Sequence, residues 1–170
     1  MDLLLYGFGG FGFSVAEIAI ENGYKNIGIF DKNKPENLSI SNGTLEFIGQ
    51  YNGKLFSEIP LLITIGNNEI RAKIASEITH QTISLIHQSA LISKSSSIEN
   101  GSIIMPNVVI GANTIIKKYC IINTSAVIDH DCVLESFIHV RPLAYIGSNS
   151  KISSFNIIQP TAFIERFTEL

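Results

Sequence analysis

An aliphatic residue recurs at every sixth position between Ile92 and Ile164, and this period restricts the fold more than any other feature of the sequence. A helix repeats about every 3.6 residues and an isolated strand every second residue, so neither produces a strict period of six. A hexapeptide repeat is typical of a parallel β-helix, in which each unit forms one short strand and one turn. The repeated positions are Ile92, Ile98, Ile104, Ile110, Ile116, Ile122, Ile128, Leu134, Val140, Ile146, Ile152, Ile158 and Ile164.

Three such units would close one triangular coil, so residues eighteen positions apart are expected on stacked strands about 4.8 Å apart. The repeats predict about four coils. The repeated aliphatic residues are large and the residues two positions before them are mostly small, so we expect large side chains in the interior and small ones at the corners. Cys120 and Cys132 both occupy the small position, on different corners, and are predicted to be core residues without a disulfide or a metal between them.

The outward-facing positions of the predicted coils are also largely apolar. Apolar columns of this kind are usually covered by another protein surface. Because they occur on all three sides, the sequence predicts a homotrimer whose threefold axis is parallel to the β-helix. The columns contain Ile103, Ile121, His139 and Ile157 on one side, Val109, Val127, Tyr145 and Phe163 on the second, and Ile115 and Val133 on the third.

The N-terminal residues have the pattern of a strand, a glycine-rich loop, a helix and a second strand. Gly7, Gly9 and Gly12 follow the G-x-G-x-x-G spacing, and Asp31 ends the second strand. Such a loop lets backbone N–H groups approach a phosphate at the start of a helix, and an acidic residue in this place can accept hydrogen bonds from a ribose or base. The pattern predicts a nucleotide site; the alternative is a glycine turn that serves only tight packing. The expected elements are strands at 3–6 and 26–30 and a helix at 13–22.

The rest of this region is predicted to complete one mononucleotide-binding half of an α/β fold. A dinucleotide needs two such halves, so the length argues against NAD, although an NAD-binding regulatory module is kept as an alternative. We expect an α/β half-Rossmann domain at 1–86 and an all-β hexapeptide domain at 87–170. The further elements are strands at 44–48, 61–65 and 82–86, and a helix at 69–79 for which Asn68 is the expected cap.

Composition excludes several partners. A net charge of −3 with 16% charged residues argues against nucleic acid or an anionic membrane surface as the main partner. No apolar run reaches the length of about 18 residues that membrane insertion needs, and the N-terminal residues lack the basic segment of a signal peptide. We therefore expect a cytoplasmic protein.

The glycine loop and three further segments resemble the PglD/NeuD-type sugar acetyltransferases, which belong to the left-handed β-helix acyltransferases. The segments are IGNNEIR at 65–71, LIHQSALI at 85–92 and NTSAVIDHDC at 123–132. The resemblance implies a left-handed coil and an acetyl-CoA-dependent acetyltransferase. Such enzymes acetylate nucleotide-linked amino sugars or sialic acids in surface-glycan synthesis. The chain departs from the family pattern after His139, where the segment Val140-Arg141-Pro142-Leu143 is bulkier than the small turn containing glycine that is usual there.

The resemblance also implies roles for individual residues. His130 would be the general base and Asp131 the carboxylate that orients it, which suits acyl transfer near neutral pH. Asn123 would lie beside the acceptor amine. His139 and Gly147 would bind the coenzyme near the acetyl thioester. The nucleotide-sugar would be held by Gly7, Gly9, Gly10, Gly12, Asp31, Lys32 and Asn67.

The repeat itself places His130 in a turn column and His139 in an outward strand column, half a coil apart. They are therefore expected on different sides of one prism, and could meet only across an interface between subunits. An alternative to the enzyme is a noncatalytic trimeric nucleotide-sugar-binding or scaffold protein without a complete coenzyme A site, because relatives continue for about two more coils.

Overall fold

The computed structural model describes residues 1–170, which form two compact units, Met1–Ile83 and Ser84–Leu170. The first unit is a four-stranded parallel sheet with two helices, and the strand order is β3-β2-β1-β4. All residues of β4 are buried, as are most of those in β1 and β2, because a parallel sheet is normally covered on both faces. The elements are β1 (Leu3–Tyr6), α1 (Gly10–Glu21), β2 (Asn26–Phe30), β3 (Thr44–Gly49), β4 (Leu61–Ile63) and α2 (Asn68–Glu77).

Both helices begin earlier in the chain than their sequence patterns predicted. The glycine loop forms the first turn of α1, and Gly9 is its N-cap without a side-chain hydrogen bond. The cap of α2 is Asn67 and not Asn68: the Asn67 side chain accepts a hydrogen bond from Ile70 N at 2.9 Å. Asn68 is buried instead, and its Oδ1 accepts a hydrogen bond from Arg71 at 2.7 Å. Neither helix is long and apolar enough to cross a membrane.

The prediction of a strand at 82–86 in the first unit is wrong. Thr82 forms only an isolated bridge to Leu61, whereas β5 (Leu85–Ile86) pairs in parallel with residues 103–104 of the second unit. Ile86 lies one hexapeptide before Ile92, so the repeat begins one unit earlier than the series read from the sequence.

The second unit is a parallel β-solenoid, which confirms the architecture predicted from the hexapeptides. Its strands form three sheets, two of five strands and one of four. Ile115 pairs with Val133 and Val133 pairs with Lys151, so stacked residues are eighteen positions apart. The strands after β5 are β6 (Leu91–Ile92), β7 (Ser97–Ile98), β8 (Ile103–Ile104), β9 (Val109–Ile110), β10 (Ile115–Ile116), β11 (Ile121–Ile122), β12 (Val127–Ile128), β13 (Val133–Leu134), β14 (His139–Val140), β15 (Tyr145–Ile146), β16 (Lys151–Ile152), β17 (Ile157–Ile158) and β18 (Phe163–Ile164).

The interior of the solenoid contains the repeated aliphatic residues together with the small residues before them, including Cys120 and Cys132. Most turns between strands place one residue in the left-handed backbone region. Asparagine and aspartate tolerate this region better than other non-glycine residues. The residues concerned include Asn107, Asn113, Asp131 and Asn149, each with φ between 57° and 60°.

The outward columns differ in exposure. Phe163 is 68% exposed in the column of β15 and β18, whereas Ile103 and Ile121 in the column of His139 are fully buried. On the side that contains β8 and β11, the expectation of exposed apolar residues holds only for Ile157, which is 40% exposed.

Candidate active site

His130 and Asp131 lie together in the turn between β12 and β13. The imidazole Nδ1 is 2.7 Å from Asp131 Oδ2, and the side chains are 51% and 43% exposed. An ionised carboxylate can only accept a hydrogen bond, so the neutral imidazole carries its proton on Nδ1. This tautomer leaves the lone pair on Nε2, which is the form that a general base needs.

The turn geometry and a neighbouring coil hold Asp131 in place. Asp131 has a left-handed backbone, with φ 58°, and its stacked neighbour Asn113 has φ 57°. Asn113 Nδ2 donates to Asp131 Oδ1 at 3.0 Å, so one oxygen of the carboxylate is fixed by the coil below and the other binds the imidazole. The carboxylate therefore holds the ring in one orientation.

Asp129 and Tyr145 fix the backbone on the other side of His130. The His130 N–H donates to Asp129 Oδ1 at 2.8 Å, and the Tyr145 hydroxyl donates to Asp129 Oδ2 at 3.1 Å. The Tyr145 ring also stacks on Phe163, with 5.0 Å between the ring centroids. Burial and the hydrogen bond to Asp129 raise the pKa of Tyr145, which keeps its hydroxyl protonated as a donor.

Gly111 allows the His130 turn to stack closely on the coil below. A Cβ at Gly111 would lie 2.6 Å from the backbone nitrogen of His130 and 2.7 Å from the carbonyl carbon of Asp129. A side chain at this position would displace the backbone that carries the imidazole, so glycine is required here by contact with the candidate site.

Charge interactions change the pKa of both members of the pair. The hydrogen bond to Asp131 raises the pKa of His130, because the carboxylate stabilises the imidazolium. The hydrogen bonds from His130 and Asn113 lower the pKa of Asp131. The pair is thus an imidazole of increased basicity beside a carboxylate that stays ionised.

An open cleft of about 530 Å³ adjoins His130. Its lining combines the aromatic pair with groups of both charges, and it could hold a ligand that has polar and apolar parts. The residues that line it are Asp129, His130, Tyr145, Ser148, Phe163, Glu165 and Arg166.

His139 and Asn123 form a second polar group, on a different sheet. His139 lies in β14, which belongs to the sheet of β11 and β17, whereas His130 follows β12. His139 is 9% exposed, and its Nε2 is 3.4 Å from Asn123 Nδ2. Asn123 also accepts a hydrogen bond from Thr124 N at 2.8 Å. Within one chain the structure brings together His130 with Asp131, and His139 with Asn123.

The four loop glycines fall into two classes. Gly7 has φ 94°, and a Cβ there would meet the Ile65 side chain; a Cβ at Gly12 would lie 2.8 Å from Gly7 O. These two glycines are therefore needed for the fold. A Cβ at Gly9 or Gly10 would meet nothing within 4 Å. Packing thus explains Gly7 and Gly12, but gives no reason for the other two.

The Asp31 carboxylate binds the glycine loop itself. Phe8 N donates to Asp31 Oδ2 at 2.8 Å, and Asn33 N donates to Oδ1 at 3.2 Å. Each carboxylate oxygen keeps further acceptor capacity for a ligand. Lys32 is exposed, and Asn67 uses its side-chain oxygen to cap α2.

Gly147 has a structural reason of its own. A Cβ there would lie 2.6 Å from Arg166 N in the next coil, which matches the relation of Gly111 to His130. Stacking accounts for this glycine, and a contact with coenzyme stays a prediction.

Four residues of the site were not predicted from the sequence: Gly111, Asn113, Asp129 and Tyr145. The eighteen-residue period could have identified Asn113, because it lies one coil below Asp131. Tyr145 gave no such signal, since its hydrogen bond to Asp129 joins positions that are not stacked in register.

The pH dependence of activity tests the pairing. We expect Asp131→Asn to keep the turn, since Asn113 and Asn149 occupy the same corner in the adjacent coils. The variant loses the negative charge that raises the pKa of His130, so the pH at which kcat/KM falls on the acid side should move down. Turnover should decrease about tenfold at its optimum. A pH–rate profile with an unchanged acid limb would contradict the proposed pairing.

Residues 2–78 match the family model of the PglD N-terminal domain. Among solved structures, the acetyltransferase domain of PglB from Neisseria gonorrhoeae, in complex with acetyl coenzyme A, is 27% identical, with a TM-score of 0.71; the match covers 99% of this chain and 86% of that one.

Two more distant structures share the fold. Perosamine N-acetyltransferase from Caulobacter crescentus, a variant in complex with CoA and GDP-perosamine, is 23% identical with a TM-score of 0.72, over 99% of this chain and 85% of that one. WeeI from Acinetobacter baumannii is 20% identical with a TM-score of 0.69, over 98% and 90%. Together with the family match, these findings confirm the resemblance to PglD-type sugar acetyltransferases.

Proposed function

We propose that this chain is an acetyl-CoA-dependent acetyltransferase whose acceptor is the amino group of a nucleotide-linked sugar in surface-glycan synthesis. The observation that carries the proposal is the His130–Asp131 pair at 2.7 Å beside an open cleft. The PglB domain that shares 27% identity binds acetyl coenzyme A, which supports the same cosubstrate here.

The chemistry follows from the tautomer of His130. Nε2 accepts a proton from the acceptor amine as its nitrogen attacks the thioester carbonyl carbon. A C–N bond forms and the C–S bond breaks, and the imidazolium returns the proton to the departing thiolate. The products are an N-acetyl sugar and free coenzyme A. Asp131 keeps the ring oriented and stabilises the imidazolium without taking the proton.

The nucleotide is assigned to the loop at the start of α1. Gly9 and Gly10 have no packing reason to be glycine, and the helix end has no side-chain cap. Backbone N–H groups at an uncapped helix start suit a phosphate, and the absence of Cβ atoms lets the phosphate approach. Asp31 would hold this loop in shape and offer its remaining acceptor capacity to the ribose or base, with Lys32 near the phosphates.

The proposal includes several further points from the family resemblance. The first unit is a half-Rossmann nucleotide-sugar domain that ends at Ile83 instead of the expected 86, and the solenoid is left-handed. The enzyme is a cytoplasmic homotrimer in which His139 and Asn123 of one copy approach His130 of the next. Leu91 and Phe163 are exposed on the sheet that contains β12, and they favour a contact between copies on this sheet. His139 would lie near the thioester and Asn123 near the amine.

A panel of nucleotide-linked amino sugars with acetyl-CoA tests the proposal, with release of free thiol and mass of the product as readouts. We expect thiol release with one member of the panel and a mass increase of one acetyl group in that sugar. A chain that binds a nucleotide-sugar but transfers acetyl to no member of the panel would instead be the noncatalytic binding protein.

Alanine at both Gly9 and Gly10 separates a nucleotide site from a packing role. Each new Cβ meets open space; alanine favours the helix at position 10 but is a poorer N-cap than glycine at position 9, so the thermal stability should change little. The affinity for the nucleotide-sugar should fall about tenfold or more, since the phosphate can no longer approach the backbone. Calorimetric titration measures this. Gly12→Ala is the matched comparison: it should lower stability, because its Cβ would contact Gly7 O. Unchanged affinity for the nucleotide-sugar in the double variant would show that the nucleotide does not bind at this loop.

A further inference from the structure

Arg141 places a positive charge beside His139 and Asn123, on the sheet that also carries the buried Ile103 and Ile121. Residues 139 and 141 are two positions apart on an extended segment, so their side chains leave the same side of the chain. Arg141 N donates to Ile158 O, and Asn123 N donates to Val140 O, so Asn123 and Arg141 occupy equivalent positions in adjacent coils. Adjacent strands are about 4.8 Å apart, which makes the three side chains one cluster.

The guanidinium of Arg141 lacks a counter-charge within the chain. Its Nε is buried and has no hydrogen-bond partner. The ion pairs of the solenoid include Lys117 with Glu99 and His130 with Asp131, and Arg141 takes part in neither. A buried donor without a partner is unfavourable, and an arginine next to apolar residues normally binds a carboxylate or a phosphate.

The surroundings favour a ligand over solvent as the missing partner. Ile103 and Ile121, on the same sheet, are fully buried, and His139 is 9% exposed. Arg141 as a whole is half-buried, and Ile157 on the same sheet is 40% exposed, so a ligand can reach the guanidinium. A partly buried guanidinium binds an anion more strongly than one on an open surface, because water competes less. The side chains of Asn123 and His139 add polar groups next to the charge, which suits an anion of fixed orientation.

We propose that Arg141, together with His139 and Asn123, forms a binding site for an anionic oxygen group of a ligand, either a carboxylate or a phosphate. The group would come from an acidic acceptor sugar, which agrees with the position of Asn123 beside the acceptor, or from a phosphate of coenzyme A, which would replace the thioester contact proposed for His139. That choice rests on the proposed function, whereas the binding of an anion does not, and it is measured without turnover.

The unpartnered donor is tested first in the ligand-free chain. Arg141→Met keeps a long unbranched side chain and removes the charge and all donors. The Tm should stay the same or rise, because an unsatisfied buried donor is lost. A Tm lower by several degrees, or a smaller assembly in sedimentation, would mean that the guanidinium is already paired within the protein or with a carboxylate of a second copy. Either result would overturn the proposal.

Inorganic phosphate tests anion binding directly. Millimolar phosphate should stabilise the unchanged protein, and Arg141→Met should weaken its apparent affinity about tenfold or more. Lys151→Met is the matched control, since it removes one exposed positive charge on a different sheet and should respond like the unchanged protein. The same response to phosphate in all three proteins would overturn the proposal.

Two matched pairs of compounds identify the source of the anion. Pantetheine lacks the phosphates of coenzyme A, and glucosamine lacks the carboxylate of muramic acid. If Arg141→Met weakens only coenzyme A, the site binds a coenzyme phosphate; if it weakens only muramic acid, the site selects an acidic acceptor. An equal loss for the charged and uncharged member of each pair would overturn the proposal, because it indicates a general effect on structure.

Discussion

Replacing His130 with alanine is expected to lower turnover about 10²- to 10⁴-fold, the usual contribution of a general base. Binding of nucleotide-sugar and acetyl-CoA should remain within about twofold, since the imidazole acts on a proton in the reaction and not on ligand binding. The fold should be retained, because Ala112 occupies the equivalent position of the coil below. Steady-state kinetics combined with calorimetric titration separates the two effects.

Lys94→Ala is the matched control for this change. Lys94 lies in the same turn column as His130, two coils below, and its side chain is exposed. It should keep full activity, which shows that truncation in this column is harmless in itself. Undiminished turnover in His130→Ala would show that His130 is not the general base, and the proposed mechanism would then be wrong.

Gly111→Ala is expected to lower turnover about 10²-fold although Gly111 makes no contact with a substrate. The new Cβ would lie 2.6 Å from His130 N, so the turn that carries the imidazole has to shift. A displacement of about 1 Å in a catalytic group is enough for a loss of this size. Kinetics should show the loss mainly in kcat, with a smaller change in the affinity for either ligand.

Gly147→Ala separates displacement of the imidazole from general strain. Its Cβ would also lie 2.6 Å from a backbone nitrogen, that of Arg166, so it strains the solenoid by a similar contact one coil farther on. Both variants should lose similar thermal stability. Because Gly147 is itself a predicted coenzyme contact and Arg166 lines the cleft, Gly147→Ala should raise the KM for acetyl-CoA, whereas only Gly111→Ala should lose most of its kcat. An equal loss of kcat in both would show that instability, and not the position of His130, limits the enzyme.

Local periodicity explains why the solenoid could be predicted from the sequence. Each hexapeptide forms its own strand and turn, and the pairing partner is always eighteen residues away, so one pattern specifies strands, register and core together. The same pattern places Asp131 next to His130, and puts Asn113 one coil below it. The start of the repeat was still placed one unit too late, because Leu85 and Ile86 also fit the last strand of an α/β domain.

Contacts that depend on side-chain direction and on distant segments were decided only by the tertiary structure. Asp31 was predicted to face a ribose, yet both its oxygens bind backbone N–H groups of nearby segments. A sequence gives the place of a carboxylate at the end of a strand, but not which donors reach it. The same holds for the hydrogen bond from Tyr145 to Asp129.

The sequence by itself determined the hexapeptide solenoid, the adjacent His130 and Asp131, and the glycine loop before α1. Only the tertiary structure decided which loop glycines are required by packing, that Gly111 supports the His130 turn, and that the Nε of Arg141 lacks a partner. The physical reason is that a repeat fixes the course of the backbone through local contacts, whereas close approach and hydrogen-bond partners depend on where separate segments and side chains meet.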